Sequence, residues 1–323
     1  MGTTTVTTPL SKTIPPDSRN IHSECCNLSL KSDVDLTETR QNARKAGEGP
    51  RESAPAVQSI VTPSEPPDRL RLEGIEVRFG GLVALENVSL QVPAGSVVGV
   101  MGPNGAGKTT LFNVVCGFLR PHAGTLTLDG RPVRPAPHRL VRHGVARTLQ
   151  GLGLFGGLTV LENVAAGASV SHRASFVTSL LGLPYGARTQ RAARSSAATL
   201  LDEFGIGEYA QALPPALPYA VAKKVALARA LISDPTLLLL DEPAGGLDSN
   251  DIEELGTLIR QLPSRGDGSR SVMLVEHNVD LIMSVCDHIV VLDFGKVIAA
   301  GTPDEIRADP LVAAAYLGGK EAA

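Results

Sequence analysis

A chain of 323 residues has room for one to three domains and a large core, and its net charge of −3 gives no reason to expect a nucleic-acid partner. Only 3% of the residues are aromatic and Trp is absent, so no platform for stacking successive bases is visible. No apolar run approaches the roughly 18 residues of a membrane span. The first residues lack the basic and apolar segments of a secretory signal, and Val6 stands where N-myristoylation requires Ser or Thr. Cys25, Cys26, Cys116 and Cys286 show no metal-ligand spacing, and the adjacent Cys25 and Cys26 cannot easily pair with each other. A reduced, cytosolic chain is the expectation.

Residues 1 to about 68 are rich in Thr, Ser, Pro and mixed charge and carry little apolar periodicity, which predicts a disordered tail. From Leu70 to Phe79 apolar and polar residues alternate as in a strand. Gly80-Gly81 is a turn, Ala84 to Val92 a second strand, and Val97 to Met101 a short buried one. A helix is expected over Leu111 to Val115, a strand over Gly124 to Gly130, a short helix over His138 to His143 and a strand from Val145 to Gln150. Between Ala165 and Leu213 the chain reads as mostly helical with a break near Gly182 to Gly186, and Arg173, Arg188, Arg191 and Arg194 read as a solvated face. Val221 to Ile232 is a strong helical pattern. The continuous apolar run Leu237 to Leu240 fits a parallel strand buried on both faces. An amphipathic helix (Ile252 to Leu262), a buried strand (Ser271 to Glu276), a helix (Asp280 to Cys286) and a hairpin around Phe294-Gly295 follow. Gly301 to Ile306 opens a terminal helix with Thr302 as N-cap and Pro303 at its first position.

The chemistry concentrates at strand ends. Gly102-Pro103-Asn104-Gly105-Ala106-Gly107-Lys108-Thr109-Thr110 matches the phosphate-binding loop pattern, and it lies between an apolar strand and a helix, the context that separates a true loop from chance. Its glycines allow inward-facing N–H groups, the following helix offers the positive end of its dipole, Lys108 reaches the β- and γ-phosphates, and Thr109 ligates Mg²⁺. Asp241 ends the buried strand and is a second Mg²⁺ ligand; Glu242, one residue on, is a candidate general base. His277 could contact the γ-phosphate and orient the attacking water, and Gln150 could complete the Mg²⁺ shell. Phe79 could stack on a purine. Taken singly, each has a plainer reading: a strand-end Phe is usually core, and a lone His usually structural.

With these residues in place, the chain from about Leu70 to Gly318 resembles the ATP-binding subunits of ABC transporters. The resemblance identifies Gly102–Thr110 as Walker A, Gln150 as the Q-loop, Leu237–Asp241 with Glu242 as Walker B, Gly246-Leu247-Asp248 as the D-loop and His277 as the switch histidine. Arg147 to Asn163 and the ending Gly301 to Gly318 are similar to the branched-chain amino acid uptake branch. What this implies is an α/β fold: a RecA-like P-loop ATPase core with an antiparallel β subdomain and a helical subdomain (about 151–232), spanning residues 69–318 between an N-terminal tail and a C-terminal tail (319–323). It also implies ATP and Mg²⁺ as ligands, membrane permease subunits and a second ATP-binding subunit as partners, a solute-binding protein acting indirectly, and a place on the cytoplasmic face of the plasma membrane. A soluble ABC-type ATPase working without a permease is the competing reading; such proteins usually carry two nucleotide-binding domains or a long coiled coil, and neither is visible.

One departure stands out. The family's Leu-Ser-Gly-Gly-Gln signature aligns with Leu217-Pro218-Tyr219-Ala220-Val221. The resemblance implies that this segment caps a partner subunit's ATP, and here it lacks the hydroxyl, the second glycine and the amide. Losing one or two charge-assisted hydrogen bonds, at about 1.5–3 kcal/mol each, predicts one weakened nucleotide site and favours a heterodimer over a homodimer; the competing reading is that this branch tolerates Leu-Pro-Tyr and relies on the helix dipole alone.

Overall fold

The structure, a computed structural model, describes residues 67–148, 151–168, 185–265 and 268–317, all of which fall within the unit formed by residues 60–323. The expected N-terminal tail up to residue 66, Cys25, Cys26, Gln150, Arg173, the start of the break near 182 and the C-terminal tail lie outside the described residues.

Two sheets make the frame. Strands β1 (Asp68–Phe79) and β2 (Leu82–Pro93) form an antiparallel hairpin around Gly80-Gly81. Their alternating pattern buries Leu70, Leu72, Ile75 and Val77 from one strand and Leu85, Val88, Leu90 and Val92 from the other. β3 (Val97–Met101) enters the second sheet and delivers the chain to α1 (Lys108–Val115). β4 (Ala123–Leu128) returns to pair antiparallel with β1, and the two-residue β5 (Arg131–Pro132) pairs with β4, giving the order β2-β1-β4-β5. A 3₁₀ segment, Pro137–His143, leads to β6 (Val145–Arg147).

The helical stretch comprises α2 (Val160–Ala168), α3 (Tyr185–Glu203) and α4 (Tyr219–Leu231). Then β7 (Leu237–Asp241), α5 (Ser249–Gln261), β8 (Ser271–Val275), α6 (Val279–Val285), β9 (His288–Asp293) and β10 (Lys296–Gly301) complete the second sheet. Its order is β10-β9-β3-β8-β7-β6, parallel throughout except for the β9–β10 hairpin.

The parallel strands are buried on both faces, as their unbroken apolar runs require. Leu238, Leu240, Val272, Leu274, Ile289 and Val291 point into a core shared with α2 to α6. Leu237, Leu239, Met273, Val275, Val290 and Leu292 point the other way, into a core shared with α1 and the β1-β2-β4 sheet.

Two expectations differ from what the structure shows. The strand expected to reach Gln150 is assigned only from Val145 to Arg147, although the Thr148 amide still donates to Leu239 (3.0 Å). The single terminal helix is two, α7 (Pro303–Ala308) and α8 (Pro310–Leu317), because the residue before Pro310 is steered out of the helical region: Asp309 has ψ 118°. At the start of α7 the Thr302 cap forms as expected and is strengthened by Glu305, which completes a reciprocal capping box.

Candidate active site

In a parallel sheet the carboxyl ends of neighbouring strands open onto one edge, where ligands bind. Here β8 lies between β3 and β7, so the turn after β8 is flanked by the phosphate loop and by the turn after β7. The structure therefore brings Lys108, Asp241, Glu242 and His277 to one rim, although they are far apart in sequence.

The loop from Gly102 to Gly107 is clamped from behind. Gly102 has φ 152°, and a Cβ there would lie 2.1 Å from the Leu292 carbonyl oxygen of β9. Gly107 has φ 103° and would meet Ala84 and Leu85 of β2 at 2.9 Å. The amide of Gly295, at the tip of the β9–β10 hairpin, donates to Ala106 at 3.0 Å. On the outer side Gly105 is open: a Cβ there would meet nothing within 4 Å. Pro103 and Asn104 complete the outer curve, the latter exposed.

Helix α1 starts at Lys108 with no side chain capping its first turn. The amides of Lys108, Thr109 and Thr110 belong to that turn, where a helix has donors and no internal acceptors; the first intrahelical bond runs from Leu111 back to Gly107 at 2.9 Å. The Lys108 ammonium, largely buried, donates to the carbonyls of Gly102 (2.6 Å) and Pro103 (2.9 Å). Burial pulls its pKa below the ordinary value while the Glu242 carboxylate pushes it back up. A desolvated cation whose partners are neutral carbonyls suits a polyanion.

Asp241 closes β7, half-buried, with its pKa raised first by burial and then by the neighbouring Glu242, against the opposing pull of Arg147. That cation lies at the end of β6 and is itself stacked on the Phe118 ring, 4.5 Å from its centroid. Glu242 has φ 46°, rare for a residue with a side chain. Its amide continues the ladder to Val275 (2.8 Å), and its carbonyl accepts from Gly245 (3.2 Å) and from Lys223 of α4 (3.3 Å). The backbone is thus held from both sides in a strained turn, the sort of outlier found at functional sites. His277 follows β8 with a side chain 59% exposed to the rim.

Phe79 stands at the end of β1, before the β1–β2 turn, half exposed. Sequence reasoning missed Glu276, the one charged side chain at the end of an otherwise apolar buried strand, and Asn163, a fully buried amide in α2. The signal for Glu276 was present: a carboxyl group directly after such a run is buried with it and must have fixed partners.

The donor set fits the groups implied. Thr109, on the first turn of α1, and Asp241, at the end of β7, carry hard oxygen atoms of the kind Mg²⁺ prefers, and phosphate oxygens would have to provide others; among the described residues there is no cluster of three or more His, Cys, Asp or Glu side chains that would suggest a protein-only metal cage.

A central, mainly parallel sheet with a phosphate loop after β3 and an acidic pair at the end of β7 defines a P-loop ATPase. A family profile described as "ABC transporter" matches residues 85–245, and one described as "Branched-chain amino acid ATP-binding cassette transporter" matches residues 296–322. The chain is 40% identical over 250 residues, 77% of its own length and 97% of the relative's, to the high-affinity branched-chain amino acid transport ATP-binding protein BraF of Pseudomonas aeruginosa. Among solved structures it is similar to the ADP conformation of an ATP-binding cassette of an ABC transporter (27% identity, TM-score 0.66, covering 78% of this chain and 99% of that one). It is also similar to a dimeric bacterial ABC transporter cassette (25% identity, TM-score 0.61, covering 72% and 98%). The chain belongs to the family of ABC transporter ATP-binding proteins, and it is a nucleotide-binding ATPase.

Proposed function

We propose that the chain hydrolyses ATP to drive uptake of branched-chain amino acids or related small amides through membrane permease subunits, from the cytoplasmic face of the membrane. The observation that carries the catalytic part is the strand order, which sets the turns bearing Lys108, Glu242 and His277 side by side. The profile match over residues 296–322 and the likeness to BraF support the solute class and weigh against a permease-free ATPase.

In this reading the amides of the Gly102–Thr110 loop and the Lys108 ammonium hold the phosphates, and Phe79 packs on the base. Thr109 and Asp241, with Gln150, would hold Mg²⁺, and the ion would supply positive charge against the phosphate oxygens. Glu242 accepts the proton of the attacking water, and His277 steadies that water against the γ-phosphate. No helix among the described residues is long and apolar enough to cross a membrane, so coupling would run through contact with a permease. Phe155 and Leu158, exposed on the loop before α2, are suited to that contact.

The altered signature supports pairing with a different ATP-binding subunit. Helix α4 begins at Tyr219 with Pro218 as its N-cap residue and no side-chain cap. The Tyr219 ring presses on Gly246, whose Cβ would lie 3.0 Å from it, and Lys223 sits 5.5 Å from the ring centroid. This chain's intact Walker A, Glu242 and His277 would complete one good site with a partner's signature, while its own Pro218–Val221 segment would leave the other weak.

The test is ATPase activity of the complex with permeases, partner ATPase and binding protein, with candidate solutes. Glu242→Gln should retain MgATP binding and lower turnover by about 10²–10⁴-fold; hydrolysis at the unaltered rate would overturn the assignment. Replacing the partner's Walker A lysine should harm turnover less than Lys108→Ala, and equal losses would refute the asymmetry.

A further inference from the structure

We propose that Glu276 is a positioning residue for hydrolysis: its buried carboxylate ties the turn that carries Glu242 to the turn that carries His277, so that the two side chains keep one relative placement. The inference rests on the hydrolytic reading above and extends it to a residue that touches neither water nor phosphate.

Glu276 is wholly buried. One carboxylate oxygen, Oε1, accepts from the Ala244 amide at 2.7 Å, two residues beyond Glu242. The other, Oε2, accepts from the amides of His277 (2.9 Å) and Asn278 (3.1 Å). The His277 ring nitrogen Nδ1 lies 3.7 Å from the same Oε2. Glu276's own amide donates to Val100 of β3 at 3.3 Å, so its backbone is moored to the strand that feeds the phosphate loop. A carboxyl group is expensive to bury without hydrogen-bond partners, and here three backbone amides donate to it. The arrangement needs two acceptor oxygens on one rigid fork, one for each turn. Glu242 sits in a strained conformation two residues before the clipped Ala244, and this anchor helps to hold that strain in place.

Glu276→Gln keeps the shape and removes one acceptor. Whichever way the amide lies, its NH₂ faces a backbone N–H, so the clip opens at one turn. The phosphate loop, held by β2, β9 and α1, does not depend on it. In the full complex with permeases and partner subunit, the measured quantities are kcat and KM for ATP, equilibrium MgATP affinity and thermal midpoint. Glu276→Gln is expected to lower kcat at least tenfold while KM and affinity change less than about twofold. A kcat within twofold of the unaltered chain would overturn the proposal, as would a rise in KM matching the fall in kcat, the pattern of a merely structural defect. If Glu276→Gln does not assemble, Glu276→Asp decides: it keeps both oxygens on a shorter stem, and the same split between kcat and KM sustains the proposal while joint movement of both sinks it. The unaltered complex is assayed first, so absence of any ATPase activity there counts against the hydrolytic reading and not against the clip.

Discussion

Asn163 offers a stringent test of how the loop before α2 is held. Its side chain is fully buried and engages the loop on both sides: Oδ1 accepts from the Phe155 amide (2.8 Å), and the two hydrogens of Nδ2 are shared among the carbonyls of Phe155 (3.1 Å), Leu158 (3.0 Å) and Thr159 (3.0 Å). Two of those backbone groups have second partners, since Phe155 also accepts from Leu158 and Thr159 from the Asn163 amide. Asn163→Ala therefore strands mainly the Phe155 amide and the Leu158 carbonyl. An orphaned buried group costs about 1–3 kcal/mol. Both residues are partly open to water, 55% and 37% exposed, which places each loss near the lower end and the total at about 2–4 kcal/mol. Asn163→Asp is the sharper change. It keeps the acceptor for Phe155 but sets a second oxygen against three carbonyls in a dry site, so it should destabilise more than alanine does. Urea denaturation gives the order and hydrogen exchange at the Phe155 amide gives the location. An aspartate variant as stable as the alanine variant would refute the assignment of Nδ2 as the loop's organiser.

Two further outcomes follow from other parts of the structure. Gly102→Ala, with a Cβ 2.1 Å from the Leu292 carbonyl, must push the phosphate loop off β9; nucleotide affinity should fall at least tenfold by equilibrium titration, and near-normal affinity would show that the clamp is soft. Burial pushes the thiols of Cys116 and Cys286 up to about 11 and about 12, so both stay protonated in the folded chain well above the pH at which an unfolded thiol ionises, roughly 8.5. That contribution is complete below pH 8 and is lost as pH rises through about 11 for Cys116 and about 12 for Cys286, so stability should decline on the alkaline side, and peptide mapping after thiol alkylation at pH 8 should find these two cysteines modified only once the chain is unfolded.

What the sequence conveyed and what it hid divide along a physical line. Local signals survive in one dimension: the glycine pattern around Lys108, the double-faced apolar run of β7, the Thr302 cap and the turn at Phe294-Gly295 all reappear in the structure. Strand order does not survive, because β3, β7, β8 and β9 read alike and nothing in the residues says that β8 threads between β3 and β7. Partnerships that depend on that order were equally hidden. Glu276 reads as the last residue of a strand until Ala244 is brought to its carboxylate, and Asn163 reads as one polar residue among several in a helix until the loop folds over it. The break between the last two helices was legible at Asp309-Pro310, where the proline's steric demand is local.

The pairing of β3 has a consequence for synthesis. This strand hydrogen-bonds to β8 on one side and β9 on the other, and both are translated long after it. At 5–20 residues per second the ribosome needs roughly ten to thirty seconds to travel from the end of β3 to the start of β8. Throughout that interval Val97 to Met101 is a bare apolar edge on the nascent chain, a target for chaperones and for neighbouring chains alike.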